Sequence, residues 1–173
     1  MGLLVVGVLS AGLLAGCAPE PAPSPAPTPT VTALTPEEEA FRAAEATYRA
    51  YVDALNRVDL ADPATFEPVY AWLADEALAE SQESLQEMHV NSLTVSGQSK
   101  IDRIEYHGLL NSNVVSEICL NVTDVDLLDE NGRSVVSESR KDLQPVRVTF
   151  APADTTTGLK IGSSAATGAG ICG

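Results

Sequence analysis

The chain is poor in the histidine and cysteine on which nucleophilic and metal chemistry most often rests. Only two histidines occur, His89 and His107, and three cysteines, Cys17, Cys119 and Cys172. Two downstream Cys without a supporting His cluster do not make a zinc set, so no metal is expected. Neither His accompanies a Ser or Cys in a nucleophile motif, and no catalytic residue is assigned. The glycines of "GSSAATGAG" follow an apolar run but open no helix, which excludes a phosphate-cradling loop, and no cofactor is expected. Basic residues are scarce as well: ten Lys and Arg stand against 24 acidic residues, a formal charge of −14. Nucleic acid is excluded as a partner, because phosphate binding needs clustered cations. Direct adsorption on anionic head groups is disfavoured for the same reason. "DVDLLDENG" spaces three aspartates as a calcium loop would, but the later Glu and the flanking helices of an EF-hand are missing.

What is present is organised in three parts. Gly2 to Gly16 carries no charge and is rich in Leu, Val, Ala and Gly. It is long enough for the apolar region of a signal peptide and short for a membrane span of about 20 residues. It ends in Leu14-Ala15-Gly16-Cys17 and is followed by "APEPAPSPAPTPTVTA". Alternating Pro forces an extended, unpacked chain, which at about 3.1 Å per residue reaches on the order of 50 Å. Residues 1–16 are therefore expected to be a signal peptide and 17–34 an anchor and linker, with one domain over 35–173.

"LAGC" resembles the lipobox of bacterial lipoproteins. The resemblance implies that a peptidase reads Leu14, Ala15 and Gly16 and that cleavage falls before Cys17, whose thiol carries a diacylglyceryl group. Two acyl chains on one residue satisfy the need of two signals for stable anchoring. The membrane, reached through Cys17, is then the first expected partner, and the extracytoplasmic face of the cell membrane the expected location. One departure is that "MGLL" lacks the usual Lys or Arg.

The body begins at Thr35-Pro36-Glu37-Glu38, a capping box with Pro at the first helical position. Phe41, Ala44, Tyr48, Tyr51, Val52 and Leu55 recur at steps of three and four, predicting a helix from Pro36 to about Arg57. Asp62-Pro63 and Glu67-Pro68 restart the pattern. Val69, Trp72 and Leu73 mark a short buried helix, and Asp75 is expected to cap a third that turns Leu78, Leu85 and Met88 inward. This front half holds 13 acidic and three basic residues between Pro36 and Val90, so its helices should present an acidic, solvated surface.

From Asn91 the period becomes two. Leu93, Val95 and Gly97 alternate, then Ile104 and Tyr106 do so in the other phase, predicting a bulge near Gln98 to Ile101. Val114, Ser116, Ile118, Leu120 and Val122 form one strand face. "DENGR" is a hairpin turn on Asn131-Gly132, and "VRVTF" and "LKI" supply two more strands. Helices followed by antiparallel strands give an α+β class with the helices on one face of a curved sheet.

That order, from "EEEAFRAAEATYRAYVDALN" through "DPATFEPVYAWLADEA" and "ICLNVTDVDLLDENGRSV" to "LKIGSSAATGAGIC", resembles the ketosteroid-isomerase-like cone fold, also called nuclear transport factor 2-like, a cystatin-like architecture. It looks like the version carried by secreted lipoproteins of actinobacteria. Catalytic members of that group pair an Asp base with Tyr and protonated Asp donors in an apolar cavity. The corresponding residue types here are Tyr48, Tyr51, Tyr70, Tyr106 and Asp53, none of which falls on a family motif. The expectation is a non-catalytic envelope module that binds another protein or a small ligand. A cavity-based isomerase, dehydratase or hydrolase is the alternative.

With Cys17 committed to lipid, Cys119 and Cys172 are an even pair on an exported chain and are expected to form a disulfide. Closing a loop of that length contributes about 4 kcal/mol in the chain-entropy account. The bridge would pin a Gly- and Ala-rich tail that lacks the aromatic residue expected shortly before its final Cys.

Overall fold

The computed structural model describes residues 33–168 and 170–173. Leu14, Ala15, Gly16 and Cys17, and the linker to residue 32, lie outside the described residues.

Helix α1 (Pro36–Leu55) starts as the capping box predicts: the Glu38 N–H donates to Thr35 Oγ1 (3.2 Å) and the Thr35 N–H to Glu38 Oε2 (2.7 Å). Those bonds hold the Glu38 carboxyl below its ordinary range. The apolar stripe buries Ala44, Tyr48 and Val52, with Tyr51 and Leu55 half-buried. The helix stops two residues short of Arg57 because Asn56 turns away to bond Ser99. Its side-chain amide donates to the Ser99 carbonyl (2.9 Å) while its oxygen accepts from the Ser99 N–H (2.8 Å). One side chain thus occupies both hydrogen-bonding groups of a buried residue, as a neighbouring strand would.

A 3₁₀ turn over Pro63–Phe66, capped by Asp62, leads into the single-turn helix α2 (Glu67–Tyr70), with Phe66, Val69 and Leu73 buried. Asp75 does not cap the third helix. In α3 (Asp75–Val90) the cap position is Ala74, which supplies no side-chain bond, and Asp75 is the first helical residue with φ +45°. The cause is tertiary. Trp72 to Ala74 is extended along the last strand, the Ala74 N–H donating to the Ile161 carbonyl (2.8 Å) and the Ile161 N–H to the Trp72 carbonyl (2.9 Å). That pairing fixes the helix start one residue early.

The strands form two antiparallel sheets. A small one pairs β1 (Thr94–Ser96) with β4 (Asp126–Leu128); the main one runs β2 (Lys100–Leu110), β3 (Asn113–Asn121), β5 (Leu143–Pro152), β6 (Leu159–Ala166) in that spatial order. The phase change occurs at a bulge in β2 between Ile101 and Arg103, at the edge of the stretch predicted, and the sheet also changes before it. The chain leaves the small sheet, turns at Gly97 (φ +78°) and enters the main one. Only glycine fits there, since a Cβ would lie 1.7 Å from the Asp124 carbonyl oxygen. The bulges fall inside β2, at Asp102 and His107.

Val114, Ser116 and Ile118 of β3, Val148 and Phe150 of β5, and Ile161 of β6 face α1 to α3 and are all buried. Helices on one face of a curved antiparallel sheet are the α+β arrangement expected. Strand β6 runs further than "LKI": it stays paired with β5 through Ala165 and Ala166, so the small-residue segment is ladder. "DENGR" does turn, with Asp129 Oδ1 accepting from the Asn131 and Arg133 N–H groups (2.9 and 2.8 Å) and Gly132 at φ +74°.

Candidate functional site

Between α1, α3 and β6 lies an open cavity of about 310 Å³. Its floor is the Tyr48 ring, edge-on to Phe150 (6.5 Å) and tilted against Tyr51 (5.6 Å). Tyr48, Tyr51 and Leu55 enter from α1 at steps of three and four. The α3 wall presents Ala77, Ser81 and Ser84 at the same spacing, with Leu85 and Met88 beyond them, and Ser164 enters from β6. Three small side chains in a row on a core-facing helix leave the space that Leu or Phe would fill, which is why the cavity exists.

The polar groups have a defined character. Burial raises the Tyr48 phenol far above its usual value, with a further push from Tyr51, and burial raises Tyr51 as well. Both rings are therefore neutral across the ordinary pH range and can donate or accept one hydrogen bond each. Neither hydroxyl has a hydrogen-bond partner among the described residues, although Ser116 Oγ is the one fully enclosed side-chain oxygen left unpaired there. The phenols thus keep access to the cavity. Glu80 is the carboxylate in the lining and is exposed.

Of the five residues of catalytic type in the sequence, the structure brings two together. Tyr48 and Tyr51 share the cavity. Tyr70 packs on Phe66 (6.4 Å) and Tyr106 on Phe41 (6.0 Å). Asp53 is exposed on another face of α1, beside Arg49 and Lys100. Ser81, Ser84, Ser164 and Glu80 belong to no motif in the sequence; the Ala77-Ser81-Ser84 spacing beside Leu85 is the signal it offers for them.

The histidines have structural surroundings. His89 Nδ1 pairs with the Leu60 carbonyl (2.7 Å) and its ring meets Phe66 edge-on. His107 is exposed on the outer sheet face, 3.9 Å from Glu117, which also holds Arg147. Among the described residues no group of three or more His, Cys, Asp or Glu is gathered as a metal would require, and no helix is long and apolar enough to cross a membrane.

Cys119 points from the outer face of β3, where the tail crosses, and lies at disulfide distance from Cys172 with the Cα atoms 5.2 Å apart. Ile171 is buried beside it in the short 3₁₀ turn Gly170–Cys172.

No known family profile and no curated protein sequence matches the chain. Solved structures resemble it at a distance, among them the three that follow. The intermembrane-space region of chloroplast protein ARC6 shares 15% identity over 72% of this chain and 94% of its own, with a TM-score of 0.48. A putative aromatic ring hydroxylase from Novosphingobium aromaticivorans shares 13% over 78% and 96%, TM-score 0.48. Aln2 from a Streptomyces species shares 12% over 78% and 93%, TM-score 0.45. None of them carries an argument about function at that distance.

Proposed function

We propose that the chain is a cell-envelope lipoprotein, held to the outer face of the cytoplasmic membrane through Cys17, whose cone-type domain binds a small uncharged ligand without transforming it. The cavity carries this reading. It is open where a purely structural domain would be filled, and it offers neutral hydroxyls rather than a base set against a proton donor. The acidic surface argues against an anionic ligand. An isomerase, dehydratase or hydrolase would need a base enclosed against its substrate; Asp53 lies elsewhere and the lining carboxylate, Glu80, is exposed.

Binding is tested with small neutral alcohols and phenols, followed by calorimetry on the wild type and on Ser81→Leu. The leucine should fill the cavity and abolish binding while the protein stays folded by circular dichroism. Equal affinity in both proteins would place binding outside this cavity. Anchoring is tested separately. Cys17→Ala should lose incorporation of labelled fatty acid and leave the membrane fraction; retention there at wild-type size and level would refute it.

A further inference from the structure

The cavity ends against Leu55, Leu85 and Met88, and the same three side chains form one wall of a second cavity of about 170 Å³ behind them. That second space lies between the end of α1, α3 and the small β1–β4 sheet, and its remaining walls are chiefly Val58, Leu60, Val95, Val125 and Leu127. Asn56 and Ser99 also border it, with the Asn56 side-chain amide and the Ser99 backbone groups spent on one another. The rear space therefore offers apolar surface, whereas the front one offers unpartnered hydroxyls. Leu55, Leu85 and Met88 are shared by the two linings. Met88 is half-buried and unbranched, and a thioether of that kind changes rotamer to suit what packs on it.

The geometry points to a single two-compartment site for an uncharged, single-chain amphiphile. A hydroxyl or carbonyl head bonds to Tyr48, Tyr51, Ser81 or Ser84, and an aliphatic tail passes Met88 into the rear compartment. Glu80 at the front and the net charge of −14 select against an anionic head. This inference rests on the proposed reading of the front cavity as a ligand site, and its test separates the two.

The probes are straight-chain 1-alkanols from butanol to decanol, titrated calorimetrically into the full-length protein. Each methylene that enters the rear compartment should tighten binding about fourfold, the equivalent of about 0.8 kcal/mol, until the space is full and the series levels off. Octanoate should bind more weakly than octanol. Val95→Phe, which shrinks the rear space only, should keep butanol affinity and bring the plateau to a shorter chain; Met88→Phe, which narrows the passage, should also bring the plateau to a shorter chain. If short alkanols bind and Ser81→Leu abolishes that binding, but affinity is flat with length, the two-compartment site is wrong while the front-cavity reading stands. A length dependence untouched by both Phe variants, or octanoate binding more tightly, overturns it too. If no alkanol of any length binds, both readings fail.

Discussion

Asn56→Ala removes a side chain that satisfies two backbone groups at once, and its cost can be worked from the geometry. Both bonds are well formed, at 2.8 and 2.9 Å, and both are part-buried. A net loss of about 1 kcal/mol each, with an added penalty for the Ser99 groups that water reaches poorly, gives about 2–3 kcal/mol. The folded unit of Leu34–Gly173 unfolds with an entropy near 2.1 cal/mol/K per residue, about 0.3 kcal/mol/K in all, so the melting temperature should fall by about 7–10 °C. Asn56→Asp keeps the acceptor for the Ser99 N–H but sets a carboxylate against the Ser99 carbonyl, and should be no more stable than the alanine variant at neutral pH. Thermal and urea unfolding, followed by far-UV circular dichroism, measure both. An alanine variant within about 0.5 kcal/mol of wild type would refute the reasoning, because it would mean that Ser99 finds other partners at no cost.

Three further outcomes follow from single residues. Gly97→Ala combines a left-handed φ with a backbone oxygen in the way, and should cost about 3 kcal/mol or more in urea unfolding; a loss under about 1 kcal/mol would show that the approach to Asp124 relaxes freely. Ser116→Ala deletes a buried hydroxyl without a partner and should leave stability unchanged or raise it by up to about 1 kcal/mol, the reverse of a usual core truncation. The Asp129 carboxyl is held below its ordinary range, first by the Arg133 N–H and then by Asn131. A lowered folded value means that its contribution is present at neutral pH and is lost as pH falls through that value. Asp129→Asn, which can still accept those bonds, should flatten this part of the acid-unfolding curve with little change at pH 7; an unaltered acid limb would refute the assignment.

Helix α1 was legible because each signal was local. The capping box, Pro36 and the stripe from Ala44 to Val52 lie within one stretch of chain and agree with one another. The same holds for the turn at Asp129 to Arg133. What was misread depended on partners distant in sequence. Asp75 reads as a cap by residue type, but the pairing of Trp72 and Ala74 with Ile161 settles the helix start. The alternation on either side of Gly97 reads as one strand with a fault, because periodicity shows the phase of a segment and not the sheet it joins. Ala165 and Ala166 carry no strand preference and extend β6 because β5 offers a ladder. The cavity was hidden for a related reason: Ser81 looks like a solvent-facing helix residue until Tyr48 and Tyr51 are placed opposite it.

The order β2-β3-β5-β6 leaves one sheet margin covered and one bare. Along β6, Trp72 to Ala74 takes up backbone groups at Ile161, but the outer margin of the 11-residue β2 pairs with no strand among the described residues. A bare margin of that length invites a second chain to add on and the addition to repeat. Here the two bulges break the row of donors and acceptors into short pieces, and Lys100, Asp102, Arg103 and Glu105 put charge along it. A margin interrupted in this way resists the strand-on-strand growth that ends in fibres.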